Sequence, residues 1–337
     1  MLTVIQRFCV FLLFLLIPLL EAHGGYWAVL NSGVEADLQD LHFANVDVGY
    51  VVGGSKLVGS PGVLLKTSNG GHFWELQKIP TENFLNGIDC VDETHCLVVG
   101  DYGVILKTTD GVQWTKLPSK FRADLWSVAM IDVNTAIAVG NLNTILRTTD
   151  GGATWNFINT ENKLFRVAYS NVFFIKGTSV GWIVGAEGTI LKTIDAGKTW
   201  IRQDALMALS FWDIFSLDGQ VVWVAGGMGD IYKSTDAGTL WVPQSDFYPL
   251  PPVSYQGIYF TDPFRGFAVG PGGVILKSKN SGETWEVDKS PVPTTLNEIQ
   301  CLNPAVCFIV GEKGVILRYM NTPAGSAKPK PQTQSVQ

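Results

Sequence analysis

The feature that most constrains this chain is a segment that recurs seven times: a glycine, a short loop, a strand of the type Ile-Leu-Lys-Thr, a turn, and a tryptophan. The tryptophans are Trp27, Trp74, Trp114, Trp155, Trp200, Trp241 and Trp285, spaced by 47, 40, 41, 45, 41 and 44 residues. A unit of roughly 40–45 residues made of short strands cannot bury its apolar faces alone. Stacked copies bury them together, and this period is that of a β-propeller blade.

The clearest copy, Leu125 to Trp155, divides into four strands: LWSVAM, TAIAVG, TILRTT and a fourth opened by Trp155. Each is short, rich in β-branched residues and bounded by Gly, Asp or Asn. No helical periodicity competes with them. The glycine ending the second strand recurs at Gly53, Gly100, Gly140, Gly185, Gly226, Gly270 and Gly311. The sequence therefore predicts an all-β fold, a seven-bladed β-propeller of four-stranded blades. The last copy stops at Tyr319 without a tryptophan strand, while Trp27 stands ahead of the first complete copy. The strand at Trp27 is expected to join the last blade, closing the ring and removing an open edge.

The turn before each tryptophan is an Asp-box. Thr148 to Trp155 and Thr193 to Trp200 carry the pattern Ser/Thr-x-Asp-x-Gly-x-Thr-Trp, and Ser234 to Trp241 has Leu240 in place of the Thr. Asn69 and Asn280 replace the Asp in two copies, and the copy at Asp110 is one residue short. The side chain accepts backbone N–H groups of its own turn, so the motif is read as folding chemistry. It falls on the connection between strands three and four, away from the expected binding mouth.

Three domains follow. Residues 1–22 read as a cleaved signal peptide, with Arg7, an apolar core from Phe8 to Leu20, and a small residue at Ala22. The core is short for an uncleaved membrane anchor. Residues 23–321 form the propeller, and residues 322–337 a solvated Pro/Gln/Lys tail. Entry to the secretory route implies a secreted or lumenal protein, in the thylakoid lumen of a plastid only if further targeting exists. Cys90/Cys96 and Cys301/Cys307 share one spacing and one repeat position, so two hairpin disulfides are expected in an oxidising compartment. Metal binding by these cysteines is the weaker alternative, since no His stands at ligand spacing. No cofactor is indicated. The net charge of −6 with scattered Lys and Arg argues against nucleic acid.

Aligning the first strands on Leu41, Ile88, Val128, Val167, Ile214, Ile258 and Ile299 places Asp40, Trp126, Phe165, Arg166, Trp212, Asp213 and Glu298 at the channel mouth. Aromatics and Arg there suit a recognition surface; water-filled channel lining is the competing reading. A sialidase-like enzyme needs an Arg cluster, and only Arg166 is offered. The three carboxyls leave open another glycoside-hydrolysing pair.

The segments VGNLNTILRTTDGGATW (Val139–Trp155) and VGAEGTILKTIDAGKTW (Val184–Trp200), preceded by strands such as LWSVAM, resemble the Asp-box propellers of the photosystem II stability/assembly-factor family. The resemblance covers about Trp27 to Tyr319. It implies a non-catalytic, monomeric, lumenal propeller that binds a protein partner, such as a membrane-protein assembly intermediate, as an assembly or scaffolding factor. A carbohydrate-binding or glycoside-hydrolysing propeller is the alternative, with a glycan as ligand.

Overall fold

The computed structural model describes residues 25–55, 61–160, 166–203, 210–244 and 251–320. Among them the strands form seven four-stranded antiparallel sheets, arranged as the repeat predicts. Blade 3 consists of Leu125–Met130, Ala136–Gly140, Thr144–Thr148 and Asn156–Phe157. Blade 7 takes three strands from Leu296–Asn303, Val306–Gly311 and Ile316–Met320 and its outer strand from Tyr26–Leu30. In that outer pair Trp27 lies opposite Tyr319. The chain start thus closes the ring, as expected, and the outer strands of the other six blades are only two or three residues long. Short outer strands leave little edge for pairing with another chain.

The repeat residues have a common task, which is to lock each blade to its neighbour. The Trp rings insert between blades. Trp114 meets Tyr50 of blade 1 edge-on at 6.0 Å, and Trp27 meets Phe267 of blade 6 at 5.6 Å. In each Asp-box the acid or amide holds its own turn. Asp150 accepts from the N–H and hydroxyl of Thr154 at 2.8 and 2.6 Å, and Asn69 accepts from Phe73 N–H at 2.9 Å. In the short copy Asp110 accepts instead from Val112 and Gln113 N–H, so the missing residue shifts the pattern by one position without losing it.

A second lock was not read from the sequence, although its residue stands in plain view as the Lys or Arg of Ile-Leu-Lys-Thr. Lys66, Lys107 and Lys192 donate through Nζ to the Asp-box carbonyls of Gly111, Gly151 and Ala237 in the next blade, at 2.8, 2.7 and 2.7 Å. Arg147 does the same to Ala196 at 2.9 Å. The cation is therefore spent on a carbonyl of the next blade.

Both disulfides form as expected, Cys90–Cys96 and Cys301–Cys307, each joining directly opposed residues of the hairpin between strands one and two. The predicted signal peptide and tail lie outside the described residues.

Candidate functional site

The inner strands line a central cavity of about 790 Å³. Six of the seven enter with a one-residue irregularity in their pairing, for example between Leu38 and Asp40 in blade 1 and between Phe211 and Asp213 in blade 5. The extra residue turns outward to the loop face, and the next one turns into the channel. This bulge separates the residues that the sequence alignment grouped into two sets. Trp126 and Trp212 occupy the bulge and are exposed on the loop face. Asp40, Asp213 and Glu298 lie one step further in, on the cavity wall.

The fourth blade corrects the alignment. Its first strand is Tyr169–Phe174, with Tyr169 opposite Gly185 and Val172 opposite Ile183. Val172, not Val167, is therefore the equivalent of Val128, and the channel residue is Asn171. Arg166 sits on the incoming connection, exposed, and Phe165 lies outside the described residues. Most blades put Leu or Phe opposite the glycine; here Tyr169 takes that place, and the apolar Val167 five residues ahead of Val172 imitates the strand start.

The carboxyls already have partners. Asp40 accepts from Leu41 N–H at 2.7 Å and, across the blade boundary, from Ile88 N–H at 2.8 Å. Asp213 accepts from Ile214 N–H, from Ile258 N–H of blade 6, and from the Asn171 amide of blade 4, at 2.7, 2.7 and 2.8 Å. One turn of pleat further along, Asp89 accepts from Met130 N–H of blade 3 at 2.6 Å and pairs with His42 of blade 1 at 2.9 Å. These acids staple blades together from the inside. Burial pushes the Asp40 and Asp213 carboxyls up to about 7, against the two backbone N–H bonds that each accepts. Glu298 is raised by burial first and by the charges of Asp213 and Asp40 after it.

The cavity extends to the hairpins between strands one and two, where Asp92, Val133 and Lys176 line it. The Asp-box turns bond to the same hairpins, for example Gly151 N–H to Asn134 O at 2.9 Å. The cavity therefore reaches the Asp-box face, opposite the mouth expected from the sequence. No arginine lines the cavity, and no group of His, Cys, Asp and Glu able to hold a metal occurs among the described residues. Both oxygens of Asp40 and Asp213 accept N–H groups, and one N–H bond of each carboxyl crosses to the next blade.

The loop face carries a different arrangement. The four-residue turns between strands two and three put two consecutive residues in the left-handed region, and at three of them the first is large and mainly apolar: Tyr102 (φ 56°), Leu142 (φ 60°) and Met228 (φ 60°). They are 70%, 55% and 75% exposed. Such a conformation costs of the order of 1 kcal/mol for a residue other than Gly, and solvation of an apolar side chain does not recover it. Tyr102 N–H donates to Asp124 Oδ1 at 2.9 Å, which brings the segment carrying Arg122 beside it. Asn143 N–H donates to Val167 O at 2.8 Å, which brings Arg166 beside Leu142. Between them Trp126 is held by its Nε1 donating to Asn141 Oδ1 at 2.9 Å. Arg122 and Arg166 are exposed and form no ion pair among the described residues. The result is a sector over blades 2 to 4 in which three apolar side chains alternate with two free cations. Tyr102 and Leu142 were missed in the sequence; the signal was a large residue inside a Gly-x-x-Gly or Gly-Asn-x-Asn turn.

Residues 20–156 and 251–320 match the family model described as photosynthesis system II assembly factor YCF48. Among curated relatives, the photosystem II assembly protein Ycf48 of Thermosynechococcus vestitus is 33% identical over 70 residues, 20% of each chain. The photosystem II assembly lipoprotein Ycf48 of Picosynechococcus sp. is 38% identical over 69 residues, again 20% of each. The matched segment thus spans about a fifth of the length of these relatives. A solved structure described as YCF48 bound to D1 peptide superposes with a TM-score of 0.72 at 23% identity, covering 88% of this chain and 97% of that one. YCF48 from Cyanidioschyzon merolae gives 0.71 at 18%, covering 88% and 98%. The xyloglucanase of Xanthomonas campestris gives 0.70 at 13%, covering 91% and 55%. At these identities the superpositions speak for the fold alone.

Proposed function

The chain belongs to the photosystem II assembly-factor Ycf48 family, and from that premise we propose that it is a non-catalytic assembly factor that holds an extended protein segment on its loop face. The carrying observation is the sector built by Tyr102, Arg122, Trp126, Leu142 and Arg166. Exposed aromatic and Arg side chains held in fixed positions are what interface hot spots are made of. Backbone strain kept at Tyr102 and Leu142 without a packing reward is the mark of a binding surface. Trp126 and Arg166, chosen from sequence, fall in this sector; Trp212 lies on the same face at blade 5 with Met228.

The partner in this reading is a segment of a membrane-protein assembly intermediate, a reading supported by the similar structure of YCF48 bound to D1 peptide. The chain acts outside the cytoplasm, delivered by the signal peptide over residues 1–22. Two hairpin disulfides support an oxidising compartment, and a relative named a lipoprotein supports an extracytoplasmic one. Asp40 and Asp213 are read as structural instead, since each carboxyl accepts an N–H of its own strand and one of the next blade.

Binding of immobilised D1 lumenal peptides to the mature chain tests this. The variant Tyr102→Ala/Trp126→Ala/Arg166→Ala should keep its circular dichroism spectrum and lose at least about tenfold in affinity, which corresponds to about 1.4 kcal/mol. Equal binding by the variant sinks the assignment of this sector.

A further inference from the structure

The central cavity contains a second arrangement that blade locking does not use. Its inner layer holds three carboxyls, and the two aspartates among them are fully engaged. Glu298 accepts only Ile299 N–H, through Oε1 at 2.8 Å; its Oε2 has no hydrogen-bond partner among the described residues. Blade 6 makes room for this carboxyl. A Cβ at Gly257 would stand 3.2 Å from Glu298 Oε1, a position where the other blades carry Asp, Ser, Asn or Glu side chains or a second Gly. The same strand then presents Tyr259, two residues further along the channel.

Tyr259 ends an aromatic arc. Its ring lies 4.3 Å from that of Phe215, which lies 5.5 Å from that of Phe173. Three consecutive blades thus give the channel one aromatic wall, leading to the free oxygen of Glu298. The opposite wall is polar and satisfied, with His42 bound to Asp89 and Gln300 accepting from Phe43 N–H at 2.6 Å. Of the basic side chains on the cavity wall, His42 is hydrogen-bonded to Asp89, and Lys176 stands out at the hairpin mouth. The deep end is therefore lined by carboxyls with no Lys or Arg beside them among the described residues, and the approach to it is aromatic.

We propose that the channel is a separate binding site for a small alkylammonium compound, entered from the Asp-box face. The charged head meets Glu298 and the apolar chain lies along Tyr259, Phe215 and Phe173. A cation against aromatic faces gains from their quadrupoles, and most when it leaves water. A volume of about 790 Å³ is that of a small-molecule pocket. Binding also relieves the repulsion that Asp213 and Asp40 exert on Glu298, which adds to burial in raising its carboxyl. This site opens on the face opposite to the protein-binding sector, so the two readings stand or fall separately.

Calorimetric titration of the mature chain with hexyltrimethylammonium bromide tests the proposal, with hexanol and magnesium chloride as the other titrants. Saturable one-site binding is expected, at least about tenfold tighter than hexanol. Glu298→Gln keeps the acceptor for Ile299 N–H and so folds, and it should weaken binding at least about tenfold. Tyr259→Leu should weaken it as well, while both variants bind D1 peptides as the unchanged protein does. Binding no tighter than hexanol, or an unaffected Glu298→Gln variant, overturns the proposal. So does displacement by magnesium at lower concentration, which would make the channel a metal site.

Discussion

Replacing Asp213 by Asn separates what its charge does from what its hydrogen bonds do. Asp213 is 6% exposed and takes three donors, from its own strand and from blades 4 and 6. Asn keeps one acceptor for Ile214 N–H and Asn171, but its amide nitrogen then faces Ile258 N–H, donor against donor. Ile258 is 1% exposed, so water does not rescue that N–H. A stranded buried donor costs about 1–3 kcal/mol.

Against this stands the charge. A carboxyl raised from 3.8 to about 7 by burial favours the fold in its neutral form. The associated stability is complete below the unfolded value and is lost as pH rises through the folded one. At about 1.4 kcal/mol per pH unit, the loss between those limits is at most roughly 4 kcal/mol, because Asp40 and Glu298 share the titration. Asn does not titrate and escapes it. The Asp213→Asn variant should therefore be about 1–3 kcal/mol less stable at about pH 3.5, below the unfolded value, and close to the unchanged protein, or more stable, at about pH 8. Urea unfolding followed by tryptophan fluorescence at the two pH values measures both numbers. A stability difference that is the same at both, or larger at the higher pH, refutes the reasoning.

Lys107→Met keeps the apolar stem and removes the donor to Gly151 O in blade 3. The cost should be about 1–2 kcal/mol in the urea midpoint, as for a charge-assisted bond at a half-buried position; an unchanged midpoint would dismiss the lysine as a blade staple. Trp27→Ala removes the ring that packs on Phe267 and Tyr319 and donates to Asp288 at 3.3 Å. It should cost about 3–5 kcal/mol, and limited proteolysis should cut first in blade 7, where the ring closes; cutting first elsewhere would count against that closure.

The architecture was legible because its signal is a period. Seven glycines, seven Lys/Arg strands and seven tryptophans occupy fixed offsets, and each offset has a local physical meaning that needs no distant partner to be recognised. The hairpin disulfides were legible for the same reason, since Cys90 and Cys96 belong to one hairpin. What one blade does to the next was not. The lysine of the third strand looks like a solvated charge until the neighbouring Asp-box carbonyl is seen 2.7 to 2.8 Å away.

The candidate site divides along the same line. Sequence alone determined that Asp40, Trp126, Trp212, Asp213 and Glu298 recur near the start of inner strands. Only the tertiary structure decided that a one-residue bulge sends the tryptophans to the loop face and the acids into the channel. Side chains alternate every residue along a strand, so one extra residue exchanges inside for outside, and no local pattern announces it. Likewise Tyr102 and Leu142 are ordinary turn residues in sequence. They become a surface because ring closure sets turns from adjacent repeats, about 40 residues apart, side by side.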